Sequence, residues 1–235
     1  MTWRWDKKQI LLIVAALASV AAVVWYTVLY TERAAVEEAQ STARDRLLLY
    51  ESTLRSALHQ YRYLPYILAI NPEIKALLQN NGDPSHINTY LEAVNAQAGS
   101  AALYVMNGQG TTVASSNWAT PTSYVGKNYA FRPYFQANLE GREGVFYGVG
   151  LTTRVPGYFL SHPIGGQGSF IGAAAVKVEV DALQKDWREG GETLFVTDEN
   201  GIIILATREE WKYKAFVEHP PEKLAQINTQ QHYRW

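Results

Sequence analysis

The chain has 235 residues and a mass of 26.4 kDa, with 21 Lys+Arg against 22 Asp+Glu, no cysteine, 47% hydrophobic and 12% aromatic residues. A net charge of −1 gives none of the basic field on which nucleic-acid binding depends, and the aromatic content is too high for a disordered chain. The absence of cysteine removes disulfides, thiolate nucleophiles and Cys-based zinc or iron–sulfur sites, and the length allows one or two domains.

Residues 1–9 read as a short cytoplasmic N-terminus and residues 10–30 as a transmembrane helix. The run Ile10 to Tyr30 carries no charge. At 1.5 Å per residue it reaches about 30 Å, the hydrocarbon thickness of a bilayer. Arg4, Lys7 and Lys8 precede it against Asp6, while Glu32, Glu37 and Glu38 follow it. The positive-inside bias therefore leaves the N-terminus in the cytoplasm and puts the bulk of the chain outside. Trp3, Trp5, Trp25, Tyr26 and Tyr30 stand where interfacial aromatic belts belong. A cleaved secretory signal ending near Ala16-Leu17-Ala18 is the other reading, against which the apolar run is long.

Residues 31–98 read as a long stalk helix followed by shorter helices. Leu47, Tyr50, Leu54, Leu58, Tyr61, Leu64 and Leu68 recur at spacings of three and four, the period of one helical face. This stripe predicts a helix rising from the membrane to about Asn80, kinked at Pro65 because proline has no amide to donate. The stripe serves as core, as a seam with a second copy, or as both. Asn71-Pro72, Asn81-Gly82-Asp83-Pro84 and Gly99-Ser100 punctuate the shorter helices.

Beyond Gly99 the pattern turns to strands. Leu103 to Met106 leads through Asn107-Gly108-Gln109-Gly110 into Thr111 to Ser115, a hairpin with glycine where a positive backbone angle is needed. The same pattern returns 91 residues later, where Phe195 to Thr197 leads through Asp198-Glu199-Asn200-Gly201 into Ile202 to Ala206. Gly144–Gly150, Tyr158–Pro163 and Phe170–Val180 are further strand candidates, the last two joined by Gly165-Gly166-Gln167-Gly168. Asp181 to Gln184 carries a helix-start signature with Asp181 as the cap. The result is an α+β chain with two tandem domains of one architecture and antiparallel sheets: 99–188 and 189–235, the second incomplete.

Catalytic motifs are missing: there is no phosphate loop, no nucleophile elbow and no His-Glu-x-x-His pair. His59, His86, His162, His219 and His232 are scattered without metal-ligand spacing. The densest chemistry is Gly126-Lys127-Asn128-Tyr129-Ala130-Phe131-Arg132-Pro133-Tyr134-Phe135. A planar guanidinium can hold a carboxylate bidentately, with tyrosine hydroxyls completing the hydrogen bonds. Plain packing of the aromatics beside a solvated arginine remains the alternative. Lys177 lies in a strand otherwise apolar up to that point, and alternation puts Ala173, Ala175, Lys177 and Glu179 on one face, with Ala174, Val176, Val178 and Val180 on the other. Two buried cations converging there would call for an anionic partner, whereas a Lys177 facing solvent or paired with Glu179 would not.

The segment Lys127 to Phe135, followed by Gly157-Tyr158-Phe159-Leu160-Ser161 and Val176-Lys177-Val178, resembles the periplasmic sensor of the C4-dicarboxylate sensor histidine kinases of the Dct type. The resemblance runs from the anchor to about Phe216 and implies a double Cache, or tandem PAS-like, fold whose distal module binds succinate, fumarate or malate. It implies that Tyr129, Arg132 and Tyr134 hold one carboxylate and that Lys177 faces the other. It further implies that Thr152 and Thr153 supply hydroxyl and backbone donors, with Tyr158 an additional candidate. Thr152-Thr153-Arg154-Val155 departs from the family's pattern, which bears on ligand preference. A homodimer through the long helix is implied as well. The chain itself calls for no cofactor: ATP, the phosphoacceptor and the route to a response regulator belong to a cytoplasmic kinase half that does not follow Trp235. Cache inputs of chemoreceptors or diguanylate cyclases for amino acids, and a membrane-anchored structural protein without a ligand site, are the rival readings.

Overall fold

A computed structural model describes residues 7–80, 82–166, 168–198 and 200–223. Trp3, Trp5, Arg4, Asp6, Asn81, Gln167, Glu199 and His232, all used above, lie outside the described residues.

Helix α1 (Lys7–His59) is continuous and includes an apolar stretch long enough to cross a membrane. Three hydroxyls in and beside this stretch bond the helix's own carbonyls: Ser19 Oγ donates to Ala15 O at 2.9 Å, Thr27 Oγ1 to Val24 O at 2.8 Å and Thr31 Oγ1 to Thr27 O at 2.9 Å. Such back-bonding keeps these three hydroxyls from being left unsatisfied in hydrocarbon. By contacts the chain divides into two units, residues 1–55 and 56–235.

The helix does not run on to Asn80 with a kink at Pro65. It ends at His59, and a turn follows in which Tyr61 N bonds Leu58 O at 3.2 Å and Arg62 N bonds His59 O at 3.1 Å. A new helix, α2 (Leu64–Ile70), then opens with Pro65 in its first turn. A continuous helix would need an amide at position 65 to reach Tyr61 O; proline in a first turn needs none. The stripe is therefore carried by two elements, and Leu58, Tyr61, Leu64 and Leu68 from both join one core. Helices α3 (Pro72–Leu78) and α4 (Pro84–Ala98) follow. Asn71 caps α3 by accepting from Glu73 N at 2.8 Å, Asp83 caps α4 by accepting from Ser85 N at 2.9 Å, and Gly99 ends α4 in the left-handed region.

Five antiparallel strands form the sheet: β1 (Ala102–Asn107), β2 (Thr112–Ser115), β3 (Gly144–Val149), β4 (Pro156–Gly166) and β5 (Ser169–Val178), in the order β2-β1-β5-β4-β3. Helix α5 (Pro133–Leu139) lies between β2 and β3 in sequence. Alternation divides β5 as its sequence indicates: Ala174, Val176 and Val178 pack with Ile74, Ile87 and Leu91 of the helices, while Ala173 and Ala175 join Tyr104, Tyr134, Phe135 and Phe159 on the other face. Helix α6 (Asp181–Glu189) begins one residue earlier than expected, with Val180 at the cap position and Asp181 inside the helix.

The strands β6 (Phe195–Thr197) and β7 (Ile203–Ala206) repeat β1 and β2 pair for pair. Tyr104↔Ser115 recurs as Phe195↔Ala206, and Met106↔Thr112 as Thr197↔Ile203, with a register irregularity at the same place in each. Asn107 Oδ1 accepts from Gln109 N and Thr111 N, both at 3.0 Å; Asp198 Oδ1 accepts from Asn200 N at 2.9 Å and Ile202 N at 2.8 Å. Gly110 and Gly201 close the two turns at φ of 77° and 70°, a region that L-residues disfavour. The next segment also returns, shortened: Gly126 N to Thr112 O and Tyr129 N to Gly110 O reappear as Tyr213 N to Ile203 O and Phe216 N to Gly201 O. The tandem architecture is thus visible at the level of single hydrogen bonds.

Candidate functional site

The segment before α5 is tied to the first hairpin. Thr112 N donates to Lys127 O at 2.8 Å, Tyr129 N to Gly110 O at 2.9 Å, and Asn128 Nδ2 to Gln109 O at 2.8 Å. Pro133 disfavours helical backbone at Arg132, which is extended (ψ 138°), and itself occupies the first turn of α5. The guanidinium is thereby directed under the sheet face instead of into solvent.

Arg132 is 2% exposed. Its Nη2 donates to Val149 O at 2.7 Å, and the guanidinium carbon lies 5.2 Å from the Phe146 ring centre and 5.4 Å from that of Phe131. Burial lowers its pKa, and the hydroxyls of Tyr134, Tyr104 and Tyr129 oppose that shift. The alternative of a solvated arginine is therefore wrong for this fold.

Four tyrosines surround it. Tyr104 Oη donates to Tyr134 Oη at 2.9 Å, and Tyr134 stacks on Phe159 with ring centres 5.5 Å apart. Tyr129 Oη is 2.6 Å from Thr152 Oγ1, and Tyr124 meets Tyr104 and Tyr129 edge-on. Burial raises the pKa of all four phenols, that of Tyr124 to about 12. They remain neutral donors at physiological pH, as a carboxylate partner requires.

Lys177 is 1% exposed. Its cross-strand neighbours are Ala102 and Phe159, which place it on the same face as the tyrosines. Nζ donates to Thr153 Oγ1 at 3.0 Å and lies 3.6 Å from Glu179 Oε1, whose side chain is 47% exposed. Lys177 is therefore both buried and paired, which combines two of the possibilities open from sequence. The loop Gly150–Val155 joins both halves, since Thr152 reaches Tyr129 and Thr153 reaches Lys177.

Of the residues expected at the site, Tyr129, Arg132, Tyr134 and Thr152 line one cavity, while Thr153 and Lys177 bond each other at the far side of the Gly150–Val155 loop and do not line it. Tyr158 joins neither group: it packs against the helix-covered core, and its neighbour Phe159 faces the site. Tyr104, Tyr124, Gly150 and Leu151 line the cavity and were not anticipated. Tyr104 was accessible in principle, being in alternation with Ala102 and Met106 on β1; Tyr124 lies in a loop whose sequence gives no direction. The cavity among these residues encloses about 10 Å³, room for about one water. A larger depression of about 460 Å³ near Asn138, His162 and Phe170 has no Arg, Lys, Asp or Glu among the described residues of its lining.

No protein-family model matches the chain. It is 34% identical over 198 residues to the C4-dicarboxylate transport sensor protein DctB of Pseudomonas aeruginosa, covering 83% of this chain and 32% of that protein. The DctB protein of Rhizobium meliloti is 33% identical over 181 residues, covering 76% of this chain and 29% of that protein. The chain thus spans about a third of the length of the curated relatives it matches. Among solved structures, the sensor domain of the histidine kinase DctB of V. cholerae superposes with a TM-score of 0.76 at 26% identity, over 82% of this chain and 76% of that one.

Proposed function

From a chain whose folded part is a sensor region of the Dct type, with tandem PAS-like modules, we propose a receptor input that binds a C4-dicarboxylate such as succinate, fumarate or malate in the first module. The observation that carries the reading is the pair of buried cations, Arg132 and Lys177, on one sheet face, with the Gly150–Val155 loop reaching Tyr129 through Thr152 and Lys177 through Thr153. A buried cation favours an anionic partner, and two of them suit two carboxylates. Arg132 with Tyr129 and Tyr134 takes one carboxylate; Lys177 with Thr153 takes the other. Because the cavity holds about 10 Å³, binding moves the Gly150–Val155 loop outward, breaking or lengthening the Tyr129–Thr152 contact.

That movement is the signal. A ligand shifts an equilibrium only by its differential affinity for two arrangements, and the loop adjoins β3, whose Val149 carbonyl holds Arg132. We place the sensor on the periplasmic face of the inner membrane, anchored by α1 and paired with a second copy along the helix segment bearing the exposed Leu47, Leu48 and Leu49. ATP, phosphoacceptor chemistry and a response regulator belong to a kinase region connected to it.

The test is ligand-induced thermal stabilisation of the full chain in nanodiscs with succinate, fumarate, malate, aspartate and acetate, beside Arg132→Ala. At about 100 times the dissociation constant, a true ligand adds roughly 2.7 kcal/mol. Stabilisation by the dicarboxylates alone, lost in the variant, is the expected result. Stabilisation by acetate as strong as by succinate, or by none of the five, would remove the dicarboxylate reading, and stabilisation by aspartate alone would replace succinate, fumarate and malate by an amino acid.

A further inference from the structure

The geometry points to Gly157 as a positioning residue that sets where the Lys177 ammonium stands, and hence as a determinant of dicarboxylate over monocarboxylate specificity. This rests on the ligand reading proposed above. A Cβ at position 157 would lie 2.6 Å from Lys177 Cε, 2.9 Å from Cγ and 3.3 Å from Cδ. The lysine stem therefore runs flat across the bare backbone of β4 and does not rise from the sheet. Gly157 is buried and pairs with Gly148 of β3, so strand pairing gives this stretch no side chain at either position. The lysine uses that space to carry Nζ toward the loop, where it meets Thr153 Oγ1 at 3.0 Å and would stand 3.4 Å from a Cβ at Gly150.

The atoms that a methyl group at 157 would strike all belong to the Lys177 side chain, a flexible stem, and none to the backbone. Because Cγ is struck as well as Cε, relief requires the whole lysine stem to rotate from its Cβ, while the strand backbone can stay in place. The swing has a direct chemical consequence. Phe159 is the cross-strand partner of Lys177 and closes one side, while Glu179 lies at 3.6 Å on the exposed side, so a displaced ammonium moves off Thr153 toward the carboxylate that already competes for it. One carboxylate of a diacid then loses its cation, while the Arg132 end is untouched. A monocarboxylate, held by Arg132 and the tyrosines alone, is indifferent to the change.

The experiment compares Gly157→Ala with the unchanged full chain in nanodiscs, using succinate and butyrate as calorimetric probes, together with a crystal structure of the variant. The expected result is a loss of about tenfold or more in succinate affinity, the scale of one charge-assisted contact, with butyrate unaffected and the ligand-free chain still melting cooperatively. In the structure, Nζ leaves Thr153 while the Gly148 pairing persists. Unchanged succinate affinity, a parallel loss of both probes, or a lysine still bonded to Thr153 overturns the inference. If the unchanged chain itself fails to bind succinate, it is the ligand reading that has failed.

Discussion

Arg132→Lys separates the charge of this residue from its shape. The guanidinium donates to Val149 O at 2.7 Å and lies over the Phe146 ring at 5.2 Å, and at 2% exposure neither contact is screened by solvent. A hydrogen bond to a charged group contributes about 1.5–3 kcal/mol and a desolvated cation–π contact about 0.5–2. An ammonium on a shorter reach recovers part of both, which leaves an expected loss of about 2 kcal/mol without ligand. For a domain of this size that is about 4–8 °C in Tm. Succinate affinity should fall further, by about 10- to 100-fold, because a point charge cannot reproduce the bidentate fork. Calorimetric melting and titration read the two effects separately. A variant that melts lower yet binds succinate as tightly as the unchanged chain would refute the assignment of the guanidinium as the carboxylate clamp.

Leu91→Ala, at a fully buried position of α4 against the sheet, should cost about 2–5 kcal/mol in urea unfolding through the cavity it leaves, with ligand affinity unchanged once folded. Tyr147→Phe removes the 2.9 Å hydrogen bond from the β3 edge to Ile204 O of the second module and should lower stability by about 1 kcal/mol, measured by denaturant midpoints, without weakening succinate binding. Burial holds the phenols of Tyr104, Tyr124, Tyr129 and Tyr134 above the ordinary value of 10.0, that of Tyr124 at about 12. Above pH 10 the unfolded chain releases these protons first, the native state binds more of them, and stability falls as pH rises. Urea midpoints at about pH 9 and about pH 11 should show that fall; a midpoint that does not move would contradict the burial of the cluster.

Much of this was legible in the sequence because certain residues have few conformational options. Asn107 and Asp198 each accept from the two backbone amides that flank a positive-φ glycine, so two hairpins could be read from their turns alone. Lys177 in an apolar strand marked its face through period-two alternation. The face of Tyr158 was not readable in the same way, since Tyr158, Phe159 and Leu160 are all apolar and no charge marks the phase. Only the pairing of Phe159 with Lys177 fixes it. The break after His59 was hidden because the heptad-like stripe continues across it. The apolar side chains on both sides serve one core whether or not the backbone between them is helical. The tightness of the cavity depends on loop Gly150–Val155, whose contacts with Tyr129 and Lys177 are made across the fold and leave no periodic trace.

The most direct measurement is a crystal structure of the full chain grown with succinate. One carboxylate is expected against the Arg132 guanidinium and the Tyr129 and Tyr134 hydroxyls, the other at Lys177 Nζ, with the cavity opened from about 10 Å³ by outward movement of Gly150–Val155. Succinate bound elsewhere, or held with Lys177 still turned to Glu179 and no carboxylate at its ammonium, would contradict this placement.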